Sequence, residues 1–370
     1  MLAPRQSLLP TLRHSTTATR HYKRSLSFAA MASSPSSTGK HAVSAAPWTA
    51  AVVSAQNKSR LLPQAIAHRG YKAEWPENTI EAMRGAVEAG AHAIETDVHL
   101  SSDGVVVLSH DPTLKRCYGK EDKISDCDWE SLSKLKTLKA PHLSMPRLID
   151  VLEWMNKPAN HDIWVLLDIK IDDPEDALLA AIASALDSVP PRSAPWKSRI
   201  VLGCWNATFL KAARKHLPEH AIVHISYSLS YTSHFLEQPN VGANILQRLL
   251  PGPFGSSFMR RVAGPLLVWT VNSPKAMEWC LDANLTRRNG VIDGVITDDP
   301  KEYLAVCRRW EDEQDGLVAR APALSIMQAL RARLGDMFEF VGVQSAWTLF
   351  FLVRRFWAGK MDYLKKGEVL

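Results

Sequence analysis

The strongest constraint on the fold is a series of eight short apolar runs that alternate with helix-like segments from Leu61 onward. Most of these runs are continuously apolar, which is typical of parallel strands buried on both faces. Eight such strands interleaved with helices over about 250 residues predict a (β/α)₈ barrel of the TIM type. The candidate strands are residues 65–68, 93–98, 105–110, 164–170, 199–205, 221–226, 265–271 and 294–298.

One connection departs from the parallel pattern. The segment VHLSSDGVVVLSH (98–110) contains a Ser-Asp-Gly turn that is too short for a helical crossover. It therefore predicts a β-hairpin that folds His110 back alongside Asp97. The predicted fold is a TIM-type α/β barrel with one local antiparallel step.

Helix signals lie between the strands. Asn78 or Thr79 is a candidate N-cap for a helix that ends at Gly90, because these residue types are favoured at the two helix ends. Further helices are predicted at residues 146–155, 174–186, 273–283 and 300–310.

Composition divides the chain into a basic segment (1–60), the barrel (61–312) and a tail (313–370). Residues 1–60 hold eight Lys or Arg and no acidic residue, and they are rich in Ser. Such a segment is typical of a mitochondrial transit peptide; a disordered basic segment without an address is the alternative. Met31 is a second possible start, and a product that begins there lacks most of the arginines.

The rest of the chain excludes several classes of function. It contains 36 basic and 38 acidic residues, so no broad basic surface for nucleic acid is expected. Five scattered cysteines without a CxxC pair argue against a disulfide framework or a zinc knuckle, and they suit a reducing compartment.

The tail is too apolar for an ordinary exposed terminus. Residues 322–334 predict an amphipathic helix, and residues 340–353 are largely apolar and precede Arg354 and Arg355. This apolar segment is shorter than the roughly 20 residues that span a bilayer, so it predicts a monotopic or re-entrant membrane anchor. A C-terminal helix packed on the barrel or on a second subunit is the alternative. We therefore expect intracellular membrane association, with the mitochondrion favoured and the endoplasmic reticulum or a lipid droplet as alternatives.

Acidic residues mark the ends of two predicted strands. Glu95 and Asp97 are spaced i, i+2, so their carboxylates face the same side of one strand, and Asp168 ends another. A hard divalent cation with oxygen ligands would offset the repulsion between them. Surface ion pairs are the alternative for the acids alone.

Basic groups also stand at the ends of predicted strands. His68 and His110 each follow an apolar run, and an imidazole can accept or donate a proton near neutral pH. Arg69 and Lys170 suit phosphate oxygens. One cation, two histidines, an arginine and a lysine around one cavity would be able to cleave a phosphodiester.

An ordered set of motifs resembles the glycerophosphodiester phosphodiesterase family over about residues 62–310. The motifs are HRG (68–70), PENT (76–79), ETD (95–97), DG (103–104), HD (110–111), DIK (168–170), WTVN (269–272) and GVITDDP (294–300). The resemblance implies a general acid–base pair (His68, His110), the ligands of one Mg²⁺ or Ca²⁺ ion (Glu95, Asp97, Asp168) and substrate contacts (Arg69, Lys170, Glu77, Trp269). The chain departs from the family at Asp168, where the family usually has Glu, and this shorter arm bears on the identity of the metal.

The tail and the overall likeness most resemble the fungal phosphatidylglycerol phospholipases C. This narrower resemblance implies hydrolysis of phosphatidylglycerol, a glycerophospholipid met at a membrane surface, to diacylglycerol and glycerol phosphate. One alternative is a glycerophosphodiesterase or lysophospholipase D that acts on deacylated or monoacyl phosphodiesters. A lipid-binding pseudoenzyme is the alternative outside the enzymes.

Overall fold

The computed structural model describes residues 46–286 and 291–319, with Gly342, Ser345 and Leu364 as isolated positions beyond them. Residues 1–45 of the predicted transit peptide and the predicted tail segments 322–334 and 340–353 lie outside these continuous ranges. The strands of the described residues are β1 (Val52–Val53), β2 (Leu61–Leu62), β3 (Gln64–His68), β4 (Ala93–Leu100), β5 (Val106–Leu108), β6 (Trp164–Ile169), β7 (Ile200–Cys204), β8 (Ala221–Ser226), β9 (Val241–Leu246), β10 (Leu266–Trp269) and β11 (Gly294–Thr297). The helices are α1 (Ile80–Glu88), α2 (Lys115–Tyr118), α3 (Trp129–Ser133), α4 (Leu148–Met155), α5 (Glu175–Ser188), α6 (Ala207–His216), α7 (Leu229–Ser233), α8 (Pro253–Met259), α9 (Pro274–Thr286) and α10 (Pro300–Gln314).

A closed barrel of parallel strands forms the centre of the described residues. The strands follow the order β3, β11, β10, β9, β8, β7, β6, β4, and the pairing of β3 with β4 closes the ring. β5 pairs antiparallel with the carboxyl-terminal end of β4, with Val98 opposite Leu108. The predicted TIM-type barrel with a local antiparallel hairpin is therefore confirmed.

One of the eight predicted barrel strands is assigned to the wrong segment of the chain. Residues 105–110 belong to the hairpin strand β5, and the remaining barrel strand is β9, whose sequence VGANIL is interrupted by Gly242 and Asn244. A Cβ atom at Gly242 would lie 2.4 Å from the carbonyl oxygen of Pro265. The strand needs a glycine where the chain leading into β10 passes close to it, and this glycine breaks the apolar run that marks the other strands.

The interior of the barrel divides into an apolar layer and a polar layer. Ile66, Trp164, Leu166 and Leu267 form a buried cluster inside the ring. A Cβ at Gly294 would lie 2.4 Å from Cδ1 of Ile66, so the Ile66 side chain would have to shift to admit one. Polar side chains follow these residues toward the carboxyl ends of the strands, which is the end where TIM barrels place their chemistry.

Residues 46–62 pack against the amino-terminal end of the barrel. Gln64 donates from Nε2 to the carbonyl oxygens of Trp48 and Ala50, each at 2.7 Å. The backbone N–H of Ala51 donates to Asp293 Oδ1 at 3.1 Å. The folded body therefore begins before the predicted boundary at residue 61, because these polar contacts tie an apparently basic segment to the barrel.

An insertion between β5 and α4 adds a small subdomain beside the mouth of the barrel. It contains α2 and α3, and it has its own apolar cluster that includes Leu114, Tyr118, Ile124 and Leu132. Among the described residues, none of the helices has both the length and the apolar character that crossing a bilayer requires.

Candidate active site

Three carboxylates meet at the mouth of the barrel. Glu95 and Asp97 lie on β4, and Asp168 lies on the neighbouring β6 directly opposite Asp97. One oxygen from each side chain lies within 4.8 Å of the other two, and all three residues are buried. The predicted metal ligands are thus brought together, with Asp168 reaching the group despite its shorter arm.

The electrostatics of this acidic triad (Glu95, Asp97, Asp168) favour a cation. Burial, together with the neighbouring Asp97 and Asp168, raises the pKa of Glu95 well above its usual range. Burial also acts against the charge of Asp97, but Lys170 and Arg69 overcome it and hold the pKa of Asp97 low. Three buried carboxylates this close together require positive charge nearby to balance them. Their donor atoms are all oxygens, which are the ligands that Mg²⁺ and Ca²⁺ prefer.

Lys170 bridges two of the acids. Its Nζ lies 2.6 Å from Asp97 Oδ1 and 2.7 Å from Asp168 Oδ2, and these contacts raise its pKa against the effect of burial. Trp205 donates from Nε1 to the other Asp168 oxygen at 2.7 Å. The predicted phosphate contact Lys170 is therefore part of the same charged cluster as the predicted ligands.

The HRG motif forms a tight turn where β3 ends. Arg69 (φ 57°) and Gly70 (φ 79°) both have left-handed backbone conformations, which are uncommon outside glycine. A Cβ at Gly70 would lie 2.7 Å from the backbone of Ala82 in α1. The turn directs the Arg69 side chain into the cluster, where Nε lies 3.2 Å from Asp97 Oδ2 and Nη1 donates to Glu77 Oε1 at 2.8 Å.

His68 is held by an acid from the last strand of the barrel. Its Nδ1 lies 2.5 Å from Asp298 Oδ1, and its Nε2 lies 3.9 Å from Glu95 Oε2. Because a carboxylate only accepts, Nδ1 carries the proton and Nε2 faces the triad with its lone pair. Burial lowers the pKa of His68, although Asp298 opposes this shift.

His110 lies near the triad, directly after the hairpin. The N–H of Ser109 donates to the carbonyl oxygen of Asp97 at 3.2 Å, which places His110 next to that strand as predicted. The ring contacts Asp111 through Nδ1 at 2.7 Å, and its side chain is 38% exposed. Burial lowers the pKa of His110 below its usual value, although the nearby Asp97 opposes this shift. An aspartate thus holds Nδ1 of both histidines, and for His68 this leaves Nε2 facing the triad.

Aromatic rings line one side of the mouth. The ring centroid of Trp205 lies 5.3 Å from that of Tyr227 and 5.8 Å from that of Trp269, and the last two are 4.9 Å apart. This aromatic wall (Trp205, Tyr227, Trp269) adjoins the triad through the contact of Trp205 with Asp168. Trp269, a predicted substrate contact, lies in this wall.

Several residues at the site have no predicted role. Asn78 (φ 55°) accepts from Thr96 and donates from Nδ2 to Asp97 Oδ2 at 2.8 Å. Asp298 stands in the quoted motif GVITDDP, and Asn78 stands in PENT. Trp205 and Arg116 carry no such signal, because their contacts join positions far apart in the chain.

The fold and the site define the class of protein: a TIM barrel whose mouth brings together a buried acidic triad, an arginine, a lysine and two histidines that contact aspartates. Residues 68–302 match the family model described as the glycerophosphoryl diester phosphodiesterase family, and the chain belongs to this family. It is therefore a phosphoric diester hydrolase.

Individual relatives agree with this assignment. A glycerophosphodiester phosphodiesterase of Caldanaerobacter subterraneus is 27% identical over 266 residues, covering 66% of this chain and 97% of the relative. A human lysophospholipase D is 34% identical over 122 residues, covering 30% of this chain and 39% of the relative. The structure of an Oleispira antarctica phosphodiesterase in complex with the product sn-glycerol-3-phosphate has a TM-score of 0.55 and 23% identity, covering 67% of this chain and 97% of that one. At this identity the structural likeness shows the fold alone.

Proposed function

We propose that this protein is a divalent-metal-dependent glycerophosphodiesterase that acts on diesters whose glycerol carries one acyl chain or none. The observation that carries the proposal is the buried acidic triad, with one oxygen from each member within 4.8 Å of the others, placed beside two aspartate-held histidines. The glycerophosphodiester phosphodiesterase and the lysophospholipase D among the relatives support this substrate class over phosphatidylglycerol.

Glu95, Asp97 and Asp168 are the residues that would hold the cation. When bound, a divalent cation stabilises the negative charge that develops on phosphate oxygens. The triad, Arg69 and Lys170 together carry a net charge of about −1 when all are ionised. This charge leaves room for a divalent cation and a singly charged phosphodiester together.

The two aspartate-held histidines suit the two proton transfers that cleavage of a phosphodiester requires. One Nε2 would take the proton of the attacking hydroxyl, and the other imidazole, in its protonated form, would give a proton to the departing alcohol. Arg69 would orient the phosphate through its guanidinium group, which is held by Glu77.

The substrate itself supplies a nucleophile in this scheme. The free 2-hydroxyl of the glycerol would form a bond to phosphorus, the phosphorus–oxygen bond to the alcohol would break, and that alcohol would leave with a proton. Water would then open the cyclic phosphate and release glycerol phosphate, or its monoacyl form. Substrates that lack a hydroxyl next to the phosphate-bearing carbon would therefore turn over slowly.

The test compares three substrates with purified protein and added Mg²⁺ or Ca²⁺: glycerophosphocholine, a lysophosphatidylcholine and phosphatidylglycerol vesicles. We expect the first two to have the higher kcat/KM, and the His68→Ala variant to lose turnover. His161→Ala is the matched control, because His161 lies outside the site and bonds the carbonyl oxygen of Asn156. Loss of activity in the control alone, or turnover unaffected in His68→Ala, would contradict the proposal.

Phosphatidylglycerol is the second candidate substrate, and the apolar segment 340–353 favours it because such a segment suits a membrane surface. The same internal attack would start from the headgroup glycerol and release diacylglycerol. Vesicle cosedimentation of the full chain and of a chain ending at residue 319 tests the membrane association. Release of diacylglycerol faster than choline release from glycerophosphocholine would make phosphatidylglycerol the preferred substrate.

The mitochondrial address is a separate proposal, supported by the composition of residues 1–60 and tested by import of the full chain into isolated mitochondria.

A further inference from the structure

We propose that Arg116 is a positioning residue that couples the phosphate-binding Arg69 to the acid–base His110. It acts through two carboxylates, Glu77 and Asp111, and it does not itself need to touch the substrate. The inference rests on the proposed function, since that function gives Arg69 and His110 their roles.

Arg116 engages both carboxylates at once. Nη1 and Nη2 donate to the two oxygens of Glu77, each at 2.8 Å, and Nε donates to Asp111 Oδ2 at 2.6 Å. The flat guanidinium fork matches a carboxylate in two parallel hydrogen bonds, which fixes both groups in direction as well as distance. These contacts raise the pKa of Arg116, so its charge is permanent.

Each carboxylate passes the contact on to a site residue. Glu77 Oε1 also accepts from Arg69 Nη1 at 2.8 Å, and the other oxygen of Asp111, Oδ1, lies 2.7 Å from His110 Nδ1. A continuous chain of hydrogen bonds therefore runs from Arg69 to His110 with Arg116 at its centre. The two ends of this chain flank the acidic triad.

The surroundings of His110 explain why such a link matters. His110 follows the short strand β5, and its side chain is 38% exposed, so little packing fixes the ring. Asp111 is its sequence neighbour and is itself 26% exposed. Without Arg116, Asp111 would lose its own fixed partner, and the orientation of His110 would loosen.

The insertion delivers Arg116 to this place. Arg116 lies on α2, a single turn of helix whose flanking residues Leu114 and Tyr118 are buried in the apolar cluster of the insertion. Gly119 (φ 70°) ends that turn with a left-handed conformation. The cluster thus anchors the helix, while the Arg116 side chain, 46% exposed, reaches out over the mouth of the barrel.

An ordinary surface ion pair is the competing interpretation, and exposed pairs contribute only about 0–1 kcal/mol to stability. Kinetics separate the two, because a structural pair alters the melting temperature and a positioning residue alters turnover. The variants are Arg116→Ala, Arg116→Lys and the matched control Arg147→Ala. Arg147 also forms a two-point ion pair, with Asp150, and its guanidinium lies over the Trp129 ring.

Two measurements are made on each variant of the full chain with Mg²⁺: kcat and KM for glycerophosphocholine, and the Kd of sn-glycerol 3-phosphate by calorimetry. We expect Arg116→Ala to lower kcat/KM by about 10- to 100-fold, through both kcat and KM, and to weaken the phosphate ligand. Arg116→Lys keeps the charge but loses the fork, so it recovers only part of the loss. Arg147→Ala stays within about twofold of wild type in both measurements.

Constants within twofold of wild type in Arg116→Ala would overturn the inference, as would an equal loss in Arg147→Ala. The calorimetry keeps this test separate from the proposed function. If the wild-type protein does not turn over glycerophosphocholine, the proposed function fails. Weaker binding of sn-glycerol 3-phosphate to Arg116→Ala would still support the link to Arg69.

Discussion

Asp298 Oδ1 lies 2.5 Å from His68 Nδ1, although 230 residues separate the two along the chain. The contact joins the first and last strands of the barrel, because β3 pairs with β11 and each residue directly follows or ends its strand. Asp298 is further held by Asn272 Nδ2 at 3.0 Å and Lys72 Nζ at 3.4 Å. Closure of the ring therefore sets the orientation of a site histidine.

Asp298→Asn is expected to lower kcat/KM by roughly a hundredfold with little change in the melting temperature. Asparagine presents an N–H₂ or a neutral carbonyl to Nδ1, so it neither fixes the tautomer nor stabilises the imidazolium. Steady-state kinetics measure the effect. The matched control is Asp128→Asn, which replaces the N-cap of α3 by an equally good capping residue. Wild-type kinetics in Asp298→Asn would show that His68 does not depend on this contact.

Asp168→Glu tests the departure from the family at the triad. The longer side chain would shift its oxygens relative to Trp205 and Lys170, which now contact both oxygens of Asp168. We expect the ratio of activity with Mg²⁺ to activity with Ca²⁺ to change by several-fold, because Mg²⁺ demands stricter geometry. The measurement is turnover over a concentration series of each ion. The exposed Asp176→Glu, at a surface pair with Lys215, serves as the control. An unchanged ratio in Asp168→Glu would mean that the length of this arm does not select the metal.

If the aromatic wall contacts the part of the substrate that does not react, as the resemblance implies for Trp269, then Trp269→Ala raises KM about tenfold while kcat changes less. Trp269→Phe keeps a ring against Trp205 and Tyr227, so it should recover most of the affinity. Michaelis–Menten kinetics with glycerophosphocholine separate the two constants. A fall in kcat alone, with KM unchanged in both variants, would place Trp269 away from the substrate.

Glu77 links site geometry to acid stability. Burial acts against its charge, but Arg116 and Arg69 lower its pKa to about 2. A lowered pKa means that the stabilisation is complete above about pH 4.5 and is lost as the pH falls through about 2. Glu77→Gln should therefore lower the free energy of unfolding by on the order of 3 kcal/mol at pH 7, and by progressively less toward pH 2.

Denaturant unfolding at pH 7, 4.5 and 3 measures this convergence of Glu77→Gln and wild type. Glu88→Gln is the control, since Glu88 is exposed and its nearest cationic atom, Arg84 Nε, is 3.9 Å away. A difference between Glu77→Gln and wild type that stays constant with pH would show that the ion pairs of Glu77 do not cause the stabilisation.

The barrel can be predicted from the sequence because parallel strands buried on both faces are recognisable as continuous apolar runs. β9 lacks such a run, because Gly242 and Asn244 interrupt its apolar residues. Gly242 is required for the close approach of Pro265. The N-terminal boundary is displaced for a similar reason. Charge composition marks residues 46–60 as part of the basic segment, but contacts with Gln64 and Asp293 attach them to the barrel.

The site residues likewise fall into those that the sequence reveals and those that only the structure reveals. Residues at the ends of apolar runs, such as His68 and Asp97, are visible in the sequence because strand ends converge at the mouth of a barrel. Arg116 is invisible, because its partner Glu77 lies 39 residues away and only the packing of the insertion brings them together. Asn78 resembles a helix cap in sequence, yet Thr79 caps α1, and Asn78 holds Asp97 instead.

On our proposal, Glu95, Asp97 and Asp168 hold one divalent cation. The most direct measurement is calorimetric titration of chelator-treated protein with Mg²⁺ and with Ca²⁺, for wild type and Asp97→Asn. We predict one ion per chain in the wild type, and affinity at least tenfold weaker in Asp97→Asn for the ion that binds more tightly. Equal affinity and stoichiometry in the two proteins would contradict the assignment of the metal site.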